Sequence, residues 1–204
     1  MTVEISGVDA NCFAEPSGSI ELVVSGGAQP VTIVWDGATN ISPNNYSPIN
    51  LLAGTYTATV TDANGCVQVV SITINQPPTV LINFNAIEPL CFGGDAFLEA
   101  EIFGGVPPYV YDWQPQGQTT DTLTVKAGTY TLEITDSHGC KYKKSVTINE
   151  PPLLEITAAV PTPDYCDQTN GEISLSTNGG TMPYNYVWSP DVGNNTANVS
   201  GLNS

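Results

Sequence analysis

The chain has 204 residues, with 20 acidic side chains against four basic ones, all lysine, giving a formal charge of −16. That balance excludes nucleic-acid binding by phosphate neutralisation and disfavours docking on anionic lipid. No apolar run approaches the roughly 20 residues that a membrane-spanning helix requires. Charged residues are only 12% of the chain and apolar ones 41%, so this is not an acidic disordered tail.

Taken in order, the residues alternate with period two. A strand is predicted near Val3–Val8, and a second over Ser19–Ser25, where Ile20, Leu22 and Val24 share one face. A third covers Val31–Asp36, a short one precedes Leu51, and one or two more are allowed between Asp36 and Ile49. Then come Thr55–Thr61, with Tyr56, Ala58 and Val60 inward, and Val67–Ile74. No stretch offers an amphipathic helix. Turn-forming Gly, Pro and Asn separate the strands, as in an antiparallel sandwich.

The series then starts again. Leu51-Leu52-Ala53-Gly54-Thr55-Tyr56-Thr57 returns as Val125-Lys126-Ala127-Gly128-Thr129-Tyr130-Thr131. Thr61-Asp62-Ala63-Asn64-Gly65-Cys66 returns as Thr135-Asp136-Ser137-His138-Gly139-Cys140, and Ile74-Asn75-Gln76-Pro77-Pro78 as Ile148-Asn149-Glu150-Pro151-Pro152. Gly-Gly, then Pro, then Trp occurs at Gly26-Gly27, Pro30 and Trp35, at Gly104-Gly105, Pro108 and Trp113, and at Gly179-Gly180, Pro183 and Trp188. Three repeats of about 75 residues follow: 1–78, 79–152, and 153–204, the last lacking its final two strands. The charge divides almost equally, −6, −5 and −5, so acidity belongs to every repeat. The chain is expected to be a piece of a longer protein, because Met1-Thr2-Val3-Glu4 has no signal-peptide character. The expected fold is all-β, a tandem of immunoglobulin-like antiparallel β-sandwiches forming an elongated rod.

The run Gly104–Trp113 (Gly-Gly-Val-Pro-Pro-Tyr-Val-Tyr-Asp-Trp), then Ala-Gly-Thr-Tyr-Thr, then Thr-Asp-x-x-Gly-Cys, then Ile-x-x-Pro resembles SprB-type repeats. The first repeat lacks the Pro-Tyr-x-Tyr portion, and the third matches until it stops. The resemblance implies an extracellular, cell-surface adhesin of gliding Bacteroidetes, exported by type IX secretion. Glycosylation at Thr122 is suggested by Asp121-Thr122-Leu123, which is similar to a short Bacteroidetes signal.

Five cysteines lie two per complete repeat, Cys12 and Cys66, then Cys91 and Cys140, with Cys166 in the third. No C-x-x-C pair points to zinc. Pairing within repeats (Cys12–Cys66, Cys91–Cys140) is the simple expectation, but strand direction opposes it. At about 3.3 Å per residue each cysteine lies roughly 35–40 Å from the nearest linker, which places Cys91 and Cys140 at opposite poles of one domain. A disulfide needs Cα atoms within about 7 Å. The pole of one domain does meet the opposite pole of the next, which favours Cys12–Cys140 between repeats and leaves Cys66, Cys91 and Cys166 without partners. Both schemes stay open at this point.

Trp35, Trp113 and Trp188 invite a sugar platform. However, Tyr109 and Tyr111, which share a face with Trp113, align with Val31 and Ile33, so a core face is expected, with Tyr56 and Tyr130 also in the core. Asp62 and Asp136 fall short of a calcium loop and read as hairpin turns, with calcium a minor alternative. His138 aligns with Asn64, which argues against a catalytic base. Lys141, Lys143 and Lys144 read as a solvated strand edge. Pro77-Pro78 and Pro151-Pro152 predict stiff linkers.

The sequence therefore predicts a non-enzymatic, semi-rigid extracellular stalk segment of a repeat-built adhesin. A carbohydrate-binding module or the spacer domains of a secreted enzyme are the alternatives. Its partners are neighbouring repeats and an unidentified surface or glycan ligand. In the third repeat Leu175, Tyr186 and Trp188 are expected to be poorly covered unless another chain donates strands.

Overall fold

The computed structural model describes residues 1–37, 41–163, 170–189 and 195–202. Among these every regular element is a strand. The first repeat contributes β1 (Thr2–Val8), β2 (Gly18–Ser25), β3 (Thr32–Asp36), β4 (Ile49–Leu51), β5 (Gly54–Thr61) and β6 (Val67–Ile74). They form two three-stranded sheets, β1-β2-β4 and β3-β5-β6. The pairing is antiparallel throughout, from Thr2↔Ser25 to Val8↔Ser19 in one sheet and from Gly54↔Ile74 to Thr61↔Val67 in the other. No further strand forms between β3 and β4 among the described residues.

The same two-sheet division recurs in β7 (Leu81–Ile87), β8 (Ala96–Phe103), β9 (Val110–Gln114), β10 (Thr122–Val125), β11 (Gly128–Thr135) and β12 (Lys141–Ile148). Its sheets are β7-β8-β10 and β9-β11-β12. First, second and fourth strands on one side, third, fifth and sixth on the other, is the arrangement of an immunoglobulin-like sandwich. The tyrosine corner of that fold is present twice. Tyr56 Oη donates to Leu52 O at 2.8 Å, and Tyr130 Oη donates to Lys126 O at 2.9 Å.

Alternation decides which side chains are buried. Ile20, Leu22, Ile33, Tyr56, Ala58, Val60 and Ile74 point between the first pair of sheets and are almost inaccessible. Trp35 is half-buried and packs on both clusters of that core. Ala96, Leu98, Trp113, Leu123, Tyr130, Leu132, Ile134 and Ile148 do the same in the second repeat. The outward positions of β5 and β6 are occupied by hydroxyls that bond in cross-strand pairs, Thr55 with Thr73 and Thr57 with Ser71. Thr129 with Thr147 and Thr131 with Ser145 repeat the pattern.

The third repeat shows one sheet, β13 (Glu155–Thr162), β14 (Gly171–Asn178) and β15 (Asn198–Leu202), in the order β13-β14-β15. The segment Tyr184–Trp188, which aligns with β3 and β9, forms no strand. Its counterparts β3 and β9 are each laddered to a following strand, and residues 184–188 have no such ladder among the described residues. Ile173 and Leu175 are only half-buried, whereas their counterparts Ile20, Leu22, Leu98 and Ala100 are buried. The chain forms two compact units. One comprises Met1–Asn83, Glu101–Thr119 and Leu132–Lys144; the other comprises Phe84–Ala100, Thr120–Thr131 and Ser145–Ser204.

Candidate functional site

Each β5–β6-type hairpin ends in a turn organised by one carboxylate. Asp62 Oδ1 accepts from the backbone N–H of Asn64 and Cys66, and Oδ2 accepts from that of Ala28. Asp136 repeats the set with His138, Cys140 and Val106. These bonds, led by the one from Cys66, hold the Asp62 carboxyl below its ordinary range. Gly65 (φ 81°) and Gly139 (φ 82°) take the left-handed position that the turn needs. The two calcium candidates are thus turn carboxylates whose oxygens face backbone donors. No cluster of three or more metal-ligating side chains exists among the described residues.

A second loop follows the first strand of each repeat and is also anchored from within. Asp9 Oδ1 accepts from Asn75 N at 2.7 Å, and Gln76 Oε1 accepts from Ala14 N at 2.8 Å. In the second repeat Glu88 Oε1 accepts from Asn149, and Glu150 Oε2 accepts from Gly93 N. Ala14 and Gly93 have left-handed φ values of 57° and 68°. Cys12 and Cys91 sit at matching places on these loops.

The loop of the first repeat meets the turn of the second through a disulfide between Cys12 and Cys140, with Cα atoms 5.8 Å apart and a separation of 128 positions in sequence. Both cysteines are buried. Around the bridge, Asn11 Nδ2 donates to His138 O at 2.9 Å, and His138 Nδ1–H donates to Asn11 O at 3.0 Å. Tyr142 lies against the same loop. Its phenol is pushed up by burial first and then by the charges of Asp136 and Glu15, while a hydrogen bond to the Phe13 backbone pulls the other way. The within-repeat alternatives are therefore corrected. Cys12 is not bonded to Cys66 nor Cys91 to Cys140, because the two cysteines of one repeat occupy opposite loops; Cys66 and Cys91 are free and exposed. Cys166 lies outside the described residues.

The linkers are tied on both sides. Gln76 bonds back to Ala14 of the first repeat, while Pro78 O accepts from Gly105 N of the second. Glu150 and Pro152 repeat this with Gly93 and Gly180. Here the Gly-Gly motif has a function that sequence reading missed. A Cβ on Gly104 would collide with Thr79 O, and one on Gly179 would collide with Leu153 O, so only glycine lets the linker pass. Tyr109 Oη and Tyr184 Oη donate to the carbonyls of these same glycines. A tyrosine five residues after the first glycine of the pair was the available signal.

The remaining residues are placed as follows. Trp113 is fully buried, which removes it from any sugar platform, while Trp35 and Trp188 are half-buried with their indole N–H groups on Asn45 O and Thr196 O. Tyr184 and Tyr186 pack edge to face. Lys141 and Lys143 stay exposed on the edge strand β12, and both bond to the Glu133 carboxylate at 2.7 Å, where their hydrogen bonds lower its pKa to about 2. Lys144 bonds Ile82 O. Thr122 is half-buried at the start of β10. His138 serves the junction, paired with a backbone carbonyl rather than with a nucleophile.

The SprB repeat family model matches residues 5–40 and 158–193, within the first and third repeats. Among curated proteins no sequence matches. Among solved structures, the chain is similar to the N-terminal eight Ig domains of Down Syndrome Cell Adhesion Molecule (DSCAM) isoform 1.30.30, at 18% identity and a TM-score of 0.49, over 91% of this chain and 29% of that one. It is also similar to Dpr11 IG1 bound to DIP-gamma IG+IG2, at 13% identity and a TM-score of 0.28, over 74% of this chain and 99% of that one. The chain thus spans less than a third of the first of these structures.

Proposed function

We propose that this chain, which carries SprB-repeat segments, is a semi-rigid stalk segment of a secreted, cell-surface adhesin and has no catalytic role of its own. The observation that carries the reading is the Cys12–Cys140 bridge, which joins consecutive repeats rather than closing one of them. A disulfide also suits an oxidising, extracellular setting. Linkers bonded on both sides and made of Pro-Pro supply a second restraint on bending. Acidity spread over every repeat opposes self-collapse of such a stalk.

Backbone 15N relaxation of the oxidised protein tests this. The first and second repeats should share one rotational correlation time, and they should separate into two after reduction. Independent tumbling in the oxidised protein would overturn the stalk reading.

A further inference from the structure

On the outer face of the sheet β1-β2-β4, Ser6, Val8, Ser19, Glu21, Ser47 and Ile49 line a groove of about 270 Å³. They stand in two rows across the strands. In one row Val8 and Ile49 flank Ser19, which pairs with both. In the other, Glu21 pairs with Ser6, and Ser47 lies on its far side, between the bonds Ile20 N to Pro48 O and Leu22 N to Tyr46 O. Val8 and Ile49 are 64% and 67% exposed and stand two strand spacings apart, about 10 Å, with only a serine between them. The Glu21 carboxylate and the hydroxyls of Ser6, Ser19 and Ser47 bond to no other described residue, whereas Thr2 and Ser25, farther along β1 and β2, bond to each other.

The sandwich itself does not require this groove. Ile49 faces outward because β4 bulges against β2, the pairing stepping from Gly18↔Leu51 to Ser19↔Ile49 with Asn50 at a left-handed φ of 59°. The third repeat has the same bulge, from Gly171↔Leu202 to Glu172↔Ser200 with Gly201 at φ 79°, and there the outward residue is Ser200. In the second repeat the pairing is regular, Leu123 is buried, and Phe97 takes the place of Ser19. A serine floor between two exposed aliphatic walls thus belongs to the first repeat alone. The charge there is also one-sided. Glu4 lies diagonally from Glu21 on the same face, and no side chain of the first repeat carries a positive charge.

We propose that this groove docks a lysine side chain of a partner polypeptide. The unbranched stem lies between Val8 and Ile49 over Ser19, and the ammonium reaches the row of Glu21, about 7 Å along the strands. An ammonium has three N–H donors, and the Glu21 carboxylate with the Ser6 and Ser47 hydroxyls supplies three acceptors. A guanidinium, planar and with five donors, matches that set less well. No aromatic ring lines the groove among the described residues, which disfavours a sugar. The acidity of the whole chain draws a basic partner towards this face.

The test titrates the full, oxidised chain with short capped peptides and follows backbone amide resonances. A Gly-Ala-Lys-Ala-Gly peptide should shift the Ser6, Val8, Ser19, Glu21 and Ile49 amides with a Kd of about 1–10 mM, as one exposed ion pair and a short apolar stem allow. Its norleucine counterpart should leave them in place, and its arginine counterpart should bind more weakly. Glu21→Gln should weaken lysine binding about fivefold. Ser19→Phe, which copies the second repeat, should abolish binding while the Ile33 and Val60 amides keep their positions. Ile49→Ser, which copies the third repeat, should remove most of it and serves if the first variant does not fold. Equal shifts with norleucine, arginine binding as tight as lysine, or binding unchanged in Ser19→Phe or Ile49→Ser would overturn the proposal. Butylammonium binding as tightly as the peptide would overturn it too, by assigning the groove to free amines. The stalk reading would stand in each case, since its own test concerns the Cys12–Cys140 bridge.

Discussion

Replacing both Cys12 and Cys140 by Ser removes a cross-link that spans 128 residues. In the chain-entropy description, closing a loop of that length in the unfolded state contributes about 5 kcal/mol. If one repeat opens while the other stays folded, the free loop is about half as long, because Gln76 and Pro78 hold the linker to the folded body at either end. The logarithm lowers the figure by only about 0.6 kcal/mol. Both repeats should therefore lose about 4 kcal/mol, whichever opens first. Hydrogen exchange reads this directly, at the Ala58 and Val60 amides in β5 and the Leu132 and Ile134 amides in β11. Under conditions where exchange follows global opening, a loss of about 4 kcal/mol corresponds to exchange about 1000-fold faster. Reduction of the parent protein should reproduce the double variant. Acceleration below tenfold in both strands would refute the reasoning, and acceleration in β11 alone would show that the bridge restrains only the second repeat.

Gly104→Ala and Gly139→Ala share a left-handed φ but differ in space. Gly139→Ala should cost about 1–2 kcal/mol by urea unfolding, whereas Gly104→Ala, facing Thr79 O, should cost clearly more; equal costs would remove the close-approach argument. Acid should destabilise the protein in a defined window. Asp62 and Glu133 are held below their unfolded pKa values, so the unfolded chain takes up their protons first, and the stability they supply is complete above pH about 4.5 and is lost towards pH 2. Thermal melts should show a falling midpoint there, and Glu133→Gln should flatten the slope. Leu132→Ala should cost about 2–5 kcal/mol, as expected for a fully buried side chain between two sheets. Adding a copy of residues 128–152 after Ser204 should bury Ile173 and Leu175 and protect the β14 amides from exchange; unchanged protection would show that this sheet is not covered by such strands.

Strand positions and inward faces were readable because period two separates Tyr56, Ala58 and Val60 from the threonines between them, and the same pattern recurs at Tyr130, Leu132 and Ile134. The junction was partly readable too, since strand direction alone places the cysteines of one repeat apart. Three features were not. The Glu133 pairing with Lys141 and Lys143 depends on cross-strand neighbours that a linear pattern does not display. The bonds between Asn11 and His138 join residues of different repeats and leave no periodic trace. The segment Tyr184–Trp188 repeats the residues of β9, but a strand needs a ladder partner as well as a sequence.

The bridge has a mechanical meaning. If the chain is pulled by its two ends, the covalent path runs from Cys12 straight to Cys140, and the residues between them carry no load. Were both sandwiches to come apart under tension, the enclosed segment would still contribute no length, hiding about 450 Å of extended chain at about 3.5 Å per residue. An oxidised tether would therefore lengthen only through residues 1–11 and 141–204, and reduction would release the enclosed slack as well.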